Sequence, residues 1–195
     1  MRSSPKYLLG AVTIAAATAS AAAVPGTGFA SAARADRAVT AATGSPTGSP
    51  TGGPIQLFAS GISQLKSRTT VTGAIGDYGF AITQDKNGKP DPDGDYEKVV
   101  LTRGSFIVDQ TALDKALHAH ASVHLNHRSC SFVFSGTGPA SIGSGTGAYR
   151  GITGRVSITV NIADIAPRKG ASCNLNAPGK GMYGTATGRG TVSFG

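Results

Sequence analysis

The sequence predicts an all-β fold, a small closed antiparallel β-barrel of about eight strands with one short helix. Apolar and polar side chains alternate with a period of two along much of residues 55–195, which is typical of half-buried strands. The chain has 28 glycines and no tryptophan, and several glycines fall inside predicted strands, as in sharply bent barrel walls. Many strands beside one short helix fit a barrel better than a doubly wound α/β fold.

The first half of this region predicts four strands and the helix. The strands are expected at residues 55–62, 69–75, 78–83 and 96–108. A polar loop separates the last two, over residues 84–95. Gly104 interrupts the alternation of the fourth strand, which predicts a bulge or bend there. Apolar residues at spacings of three and four predict the helix over residues 111–121, with Asp109 or Thr111 as its cap.

The second half predicts the remaining strands, at residues 131–135, 152–162 and 182–194. In the last of them, Met182, Val192 and Phe194 fall on one face. The same face carries four small residues, which are Gly184, Ala186, Gly188 and Gly190. Small residues on one face fit the tight interior or the strongly bent wall of a small barrel.

A glycine-rich turn is predicted just before the strand at residues 152–162. Its structural residues are Gly145, Gly147, Gly151 and Gly154. We expect Gly147 and Gly151 to need a positive φ or a close backbone approach. In the strand that follows, one face should carry Val156, Ile158 and Val160, and the other Arg155, Ser157 and Thr159.

This turn also resembles a known family. Residues 145–154 have the sequence GTGAYRGITG, which is similar to the G-T-G-x-[YF]-x-G-x-x-G signature of the allene oxide cyclase and dirigent barrel superfamily, and more closely to its secreted bacterial members. The resemblance implies a β-barrel, a homo-oligomer, and a role in guiding the cyclisation or coupling of a small molecule in secondary metabolism. It identifies no catalytic residue here, because the acidic and basic positions of the plant members have no matching motif.

The N-terminal residues 1–54 differ in composition from the predicted barrel. Arg2 and Lys6 precede an uncharged, alanine-rich stretch that ends in small-residue sites, which predicts a secretory signal peptide over residues 1–32. Residues 33–54 contain a repeat of Thr, Gly, Ser and Pro with no apolar side chain to bury, and are predicted to be a disordered linker. The barrel domain is then residues 55–195. We expect a secreted, extracellular protein with no stable membrane insertion after cleavage.

The charge pattern disfavours a nucleic-acid partner. The net charge is +8, but the basic residues are spread along the chain rather than interleaved with aromatic residues on one face. Tyr149-Arg150 alone approaches such a pattern. Solubility explains the net charge, and weak association with anionic cell-wall polymers is the alternative.

The two cysteines, Cys130 and Cys173, predict one structural disulfide. An even cysteine count in an exported domain favours pairing, and the C-x-x-C spacing of a redox pair is missing. Closing a loop of this length should stabilise the fold by about 4 kcal/mol on chain-entropy grounds.

No cofactor or metal ion is expected. The glycine run lacks dinucleotide-binding spacing and is followed by a strand rather than a helix. The four histidines are His118, His120, His124 and His127. The last three would share a face only on a continuous helix, which we expect to end before Asn126. The acidic residues 91–97 resemble a calcium loop, but carboxylates are missing at its required end positions, so an acidic turn is expected.

The catalytic residues are unknown from the sequence. There is no G-x-S-x-G elbow, and the expected disulfide leaves no free thiol. Six polar residues could serve acid, base or oxyanion roles, but no spacing pairs them, so each is expected at a turn or on the surface: Asp77, Asp109, Asp164, Tyr78, Tyr149 and Arg150.

Three functions follow in order of preference. The first is non-catalytic binding of a small hydrophobic molecule, the second a structural extracellular protein without ligand, and the third the cyclase or dirigent-like role that the resemblance implies. An open apolar cavity would favour the binder, and an open cavity with two or more polar groups the catalyst. A filled interior would favour the structural protein.

Overall fold

The structure is a computed structural model that describes residues 51–61, 65–175, 177 and 179–195. The predicted signal peptide, residues 1–32, and residues 33–50 of the predicted linker lie outside the described residues. The end of the linker prediction differs from the structure, because β1 begins at Gly53 rather than at Ile55. Gly53 and Pro54 pair with Val192 and Thr191, and these pairings extend the strand.

Eleven strands and one helix follow in chain order. They are β1 (Gly53–Gly61), β2 (Lys66–Gly73), β3 (Asp77–Gln84), β4 (Tyr96–Leu101), β5 (Gly104–Asp109), α1 (Thr111–His120), β6 (Ser122–Asn126), β7 (Ser131–Gly147), β8 (Ile152–Ile165), β9 (Arg168–Lys169), β10 (Ser172–Cys173) and β11 (Tyr183–Phe194).

Eight of these strands close into an antiparallel barrel, as the sequence predicts. Their order is β5-β4-β3-β2-β1-β11-β8-β7, and β5 pairs with β7 to complete the ring. Strand β6 pairs with the first residues of β7, outside the ring, while β9 and β10 form a separate two-stranded sheet. We call the end that holds the turn at residues 148–151 the closed end, and the opposite end, where β1 finishes, the open end.

Side-chain alternation directs apolar residues into the barrel. On β8, Val156, Ile158 and Val160 are buried inside, and Arg155, Ser157 and Thr159 face outward, which confirms the predicted parity. The inward face of β11 carries Gly184, Ala186 and Gly188 between Met182 and Val192, also as predicted. At the closed end large side chains fill the interior, and those of Phe106, Tyr149 and Ile152 are almost completely buried.

Two strand predictions were wrong. The region predicted as one strand over residues 96–108 is a hairpin, β4 and β5, and Gly104 is the first residue of β5. The irregularity predicted there takes the form of the reversal just before Gly104 and of a register shift against β7 between Ser105 and Ile107. The strand predicted to end at residue 135 continues to Gly147, because its second half pairs with β8 on one side and β5 on the other. Strand β6 was not predicted.

The glycine turn is shorter than predicted. Gly145 and Gly147 belong to β7 and Gly154 to β8, so the reversal itself occupies residues 148–151. Gly147 and Gly151 have φ values of 59° and 75°. A Cβ on Gly147 would lie 2.5 Å from the carbonyl oxygen of Arg103, so this position combines a left-handed backbone with a close approach.

Cys130 and Cys173 form the predicted disulfide, with their Cα atoms 5.4 Å apart. Both sulfur atoms belong to a small apolar cluster beside the open end, in which Phe132, Ala166 and Leu125 also pack. The bond links the residue before β7 to β10, and it therefore fastens the segment that follows β8 to the barrel wall.

Helix α1 follows β5 and packs against β7. It ends at His120, one residue before the predicted end. Leu113 and Leu117 are its buried residues, and they lie against Gly138 and Gly136 of β7, where the lack of side chains lets the helix approach. Within the described part of the chain, no helix is long and apolar enough to cross a membrane.

Candidate functional site

The open end of the barrel contains a cavity of about 870 Å³. Its wall is formed by strands, by helix α1 and by the loop before β4. The large apolar side chains that line it are Leu57, Leu113, Leu117, Phe134, Ile158, Val160 and Ile162. Polar side chains from β2, β3, β4 and the residue before α1 complete the wall, namely Ser67, Thr83, Glu97 and Gln110.

Short side chains are the local cause of the open space. Ala59 at the end of β1 is paired with Ala186 of β11, and both residues line the cavity. Gly184 lies two positions before Ala186 on the same inward face. Because strand positions at the closed end carry Phe, Tyr and Ile instead, the barrel is filled there and hollow here.

Glu97 is the acidic group on the inner wall of this cavity. It is the sole glutamate of the chain, and it lies on the inward face of β4, two residues before the buried Val99. Its carboxylate accepts hydrogen bonds from Ser67 Oγ at 3.3 Å and from Gln110 Nε2 at 2.9 Å. One donor serves each oxygen, so each oxygen retains unused acceptor capacity.

Burial raises the pKa of Glu97 above its ordinary value, although the hydrogen bonds from Ser67 and Gln110 act in the opposite direction. Glu97 keeps an intermediate part of its surface accessible, and it lines the cavity. The raised pKa makes this carboxyl able to hold or release a proton closer to neutral pH than an exposed glutamate does.

The rim of the cavity carries a second group of charges. Asp93 and Asp95 come from the loop before β4, and Asp114, Lys115 and His118 come from α1. Desolvation, followed by the charges of Asp114 and Asp109, raises the pKa of Asp95. His118 Nδ1 lies 3.3 Å from a carboxylate oxygen of Asp114. Lys66 of β2 also lines the cavity, so the entrance carries three carboxyl groups beside two lysines and one histidine.

Thr69 lies deeper along the same wall. It is 1% exposed and follows Ser67 by two positions, so both side chains face the barrel interior. Register places Thr69 beside Ala59, a cavity residue. Among the described residues, Thr69 Oγ1 is the one buried side-chain oxygen or nitrogen without a hydrogen-bond partner.

The closed end holds a different polar cluster. Asp77 is buried at the start of β3 and accepts hydrogen bonds from the Thr102 hydroxyl, the Tyr149 hydroxyl and the Arg103 backbone N–H. The Arg103 guanidinium is 3.6 Å from the same carboxylate. Burial acts to raise the pKa of Asp77, but these hydrogen bonds outweigh it and hold the pKa far below its usual range.

The expectation of a turn or surface position was therefore wrong for Asp77, which is a buried strand residue, whereas Tyr149 lies in the turn at residues 148–151 with its side chain buried. No spacing in the sequence pairs the two residues. They are 72 residues apart in sequence and hydrogen-bonded in the core. Burial and the neighbouring Asp77 raise the pKa of Tyr149 above its ordinary value, so its phenol stays protonated and donates. Tyr149 also packs edge-to-face on Phe106, with ring centroids 5.8 Å apart.

The other sequence candidates lie apart from the cavity interior. Asp109 accepts a hydrogen bond from the Thr111 N–H at the start of α1, and Asp164 is buried and accepts from the Gly181 N–H. Tyr78 and Arg150 are exposed. Asp109 therefore lies at the start of the helix, and Tyr78 and Arg150 lie on the surface, whereas the expected turn or surface position was wrong for Asp164, which is a buried residue of β8.

The histidines do not share a helix face, because α1 ends at His120. His124 is on β6, and His127 follows that strand. Among the residues that the structure describes, no group of three or more His, Cys, Asp and Glu side chains is placed to hold a metal ion. The acidic residues 91–97 instead supply one turn, the rim carboxyl groups and the first two residues of β4.

Sequence reasoning missed Glu97 as a site residue. A signal was present: Glu97, Val99 and Leu101 alternate with Lys98 and Val100 on β4, so Glu97 falls on the face that carries the buried residues. A charged residue on the buried face of a strand is unusual enough to mark a site.

No family model, curated protein or solved structure matches the chain.

Proposed function

We propose that the open-end cavity binds a small, mostly apolar molecule that also carries a hydrogen-bonding group. The cavity itself carries this proposal. Its volume of about 870 Å³ falls within the range of about 300–1,000 Å³ of small-molecule sites. Its wall combines leucine, isoleucine, valine and phenylalanine side chains with a few convergent polar groups, as such sites do.

The polar groups define how a ligand would be oriented. An apolar body would contact Leu57, Phe134 and Ile158, while its polar end would lie at Glu97 and Ser67. Burying the apolar part supplies affinity at about 25 cal/mol for each Å² removed from water. A polar end that meets Glu97 satisfies the remaining acceptor capacity of that carboxyl. The hollow interior counts against a structural protein without ligand.

Filling the cavity tests the proposal. Ala59→Phe places a large side chain inside, and Ala163→Phe, on the exposed face of β8, is the matched control. With N-phenyl-1-naphthylamine as a neutral fluorescent probe, we expect saturable binding by the wild type and by Ala163→Phe, and at least about tenfold weaker binding by Ala59→Phe. Equal binding by both variants, or no binding by the wild type, would contradict the proposal.

A second candidate is catalysis of a cyclisation or coupling reaction. Two observations favour it: the cavity contains more than two polar groups, and Glu97 has a raised pKa suited to proton transfer. The resemblance of residues 145–154 to the allene oxide cyclase and dirigent superfamily agrees with it. The cavity would hold a flexible substrate near its reactive conformation, and Glu97 would donate or accept a proton.

Binding and catalysis separate in one experiment. Molecules that co-purify with the protein are identified by untargeted mass spectrometry and then incubated with the wild type and with Glu97→Gln. A binder returns each molecule unchanged from both proteins. A catalyst converts at least one molecule, and Glu97→Gln slows that conversion by about 100-fold or more while still binding it. Conversion at equal rates would exclude Glu97 as the catalytic group.

A further inference from the structure

We propose that the ligand of this cavity is a cationic amphiphile, an apolar chain or ring that carries an ammonium-type group. The inference rests on the proposed binding function and adds the charge of the ligand. Two features of the cavity carry it: an interior carboxyl and an acidic rim.

The interior carboxyl is served by neutral donors. Glu97 receives one hydrogen bond from Ser67 and one from Gln110, and neither donor carries a charge. Lys66 also lines the cavity, but it makes no ion pair with Glu97 among the described residues. Lys66, the nearby basic residue of β2, places its Nζ 3.9 Å from the ring centroid of Phe80, an outward-facing residue of β3. An ammonium on a ligand would supply the missing positive charge and up to three N–H donors.

The rim gives the same charge preference. Four of the ten acidic residues of the chain, Asp93, Asp95, Glu97 and Asp114, line this one cavity, although the chain as a whole carries a net charge of +8. The basic side chains that line the cavity are Lys66, Lys115 and His118, and His118 already lies beside Asp114. The four carboxyl groups therefore outnumber the two lysines. An anionic ligand would meet net repulsion, and a cation net attraction.

The test compares three decyl compounds that differ in charge: decylamine, decanol and decanoate. Each displaces N-phenyl-1-naphthylamine from the wild-type protein at pH 7 and low salt. We expect decylamine to bind about tenfold or more tightly than decanol, and decanoate to bind weakest. Glu97→Gln should weaken decylamine about tenfold and leave decanol unchanged.

A rim variant keeps the test decisive if Glu97→Gln misfolds. Asp93→Asn removes one exposed rim charge and should weaken decylamine about twofold to threefold without changing decanol. Asp91→Asn is its control, because Asp91 lies outside the cavity wall and an asparagine still accepts the Asp93 N–H. Equal binding of the three compounds, or a preference for decanoate, would overturn the charge inference and leave the binding function intact. Failure of the probe and all three compounds to bind would overturn both.

Discussion

The two ends of the barrel each hold an inward-facing carboxyl group, and the two groups differ in their hydrogen-bond partners and in the direction of their pKa shifts. At the closed end, Asp77 receives hydrogen bonds from Thr102, Tyr149 and two backbone N–H groups, and Arg103 lies 3.6 Å away. At the open end, Glu97 receives two hydrogen bonds from neutral side chains. The pKa of Asp77 is lowered below its ordinary value, whereas the pKa of Glu97 is raised above it.

The difference separates a scaffold from a site. A buried charge whose hydrogen bonds are all supplied by the protein stabilises one arrangement of the chain and has nothing left for a ligand. A buried acid with spare acceptor capacity beside a cavity is costly for folding, and such groups are frequent where a protein binds or reacts. The comparison therefore indicates that Tyr149, which lies in the glycine-rich segment of residues 145–154, stabilises the fold, and that Glu97 belongs to the candidate site.

Removing Asp77 is the most severe test of this assignment. Asp77→Ala leaves the Tyr149 hydroxyl without its partner and removes the carboxylate beside the Arg103 guanidinium, which keeps its hydrogen bond to the Ile75 carbonyl oxygen. We expect a loss of about 3 to 5 kcal/mol in the free energy of unfolding, measured with urea. Tyr149→Phe is the graded control, with an expected loss of about 1 to 3 kcal/mol, because Asp77 keeps its other donors. A smaller loss for Asp77→Ala than for Tyr149→Phe would contradict the scaffold role.

Removing the disulfide measures how much this bond stabilises the open end of the barrel. Cys130 and Cys173 are 43 residues apart, so the double variant Cys130→Ser/Cys173→Ser should lose about 4 kcal/mol of unfolding free energy from the freed loop. The same protein, if it stays folded at low temperature, should retain the Asp77 network, because that network lies at the other end. Urea denaturation of the wild type with and without reductant is the control, and a loss under about 1 kcal/mol would show that the bond stabilises little.

Much of the barrel could be predicted from the sequence, because alternating apolar and polar residues identify both a strand and its buried face. Strand β8, the small-residue face of β11, the helix and the cysteine pair all follow from local spacing and composition. The β4–β5 hairpin could not be predicted in the same way. Its Thr102-Arg103 connection is held by Asp77, about 25 residues earlier in the chain, and the local signal at Gly104 indicates a bulge or bend as readily as a reversal.

The second half of β7 and the site escaped prediction for related reasons. Residues 136–147 are rich in Gly, Ser and Thr and have no apolar alternation, and they form a strand because β5 and β8 pair with both of their edges. Glu97 was visible as a charge on the buried face of β4, but its meaning depends on Ser67 and Gln110, which come from other elements. The sequence indicates on which face of a strand a side chain lies, but it does not show which residues of other strands contact that side chain.

Backbone strain at the closed end gives a test of intermediate size. Gly147→Ala places a Cβ on a residue with φ of 59°, about 2.5 Å from the Arg103 carbonyl oxygen, and should cost about 1 to 3 kcal/mol in unfolding free energy. Gly143→Ala on the same strand is the control, because an added Cβ there has nothing within 4 Å. We expect probe binding at the open end to persist in folded Gly147→Ala. Equal stability of the two variants would remove the argument for a strained turn.

The smallest expected effect is that of Glu97→Gln, which should raise the free energy of unfolding near pH 8, whereas the other variants should lower it. Because the pKa of Glu97 is raised in the folded protein, the folded state binds more protons than the unfolded state from about pH 4.3 up to the raised value. Wild-type stability contributed by this group is therefore present below about pH 4 and is lost as the pH rises through the raised pKa.

Glu97→Gln removes this titration. We expect the variant to match or fall below the wild type in unfolding free energy at pH 4, and to exceed it by about 0.5 to 2 kcal/mol at pH 8, measured by urea denaturation across the range. Taking the difference between the two proteins cancels the contribution of Asp77, whose lowered pKa gives stability that is lost as the pH falls below about 4. A variant less stable than the wild type at pH 8, by a margin that grows with pH, would mean that Glu97 is paired as fully as Asp77 and that the two ends of the barrel do not differ.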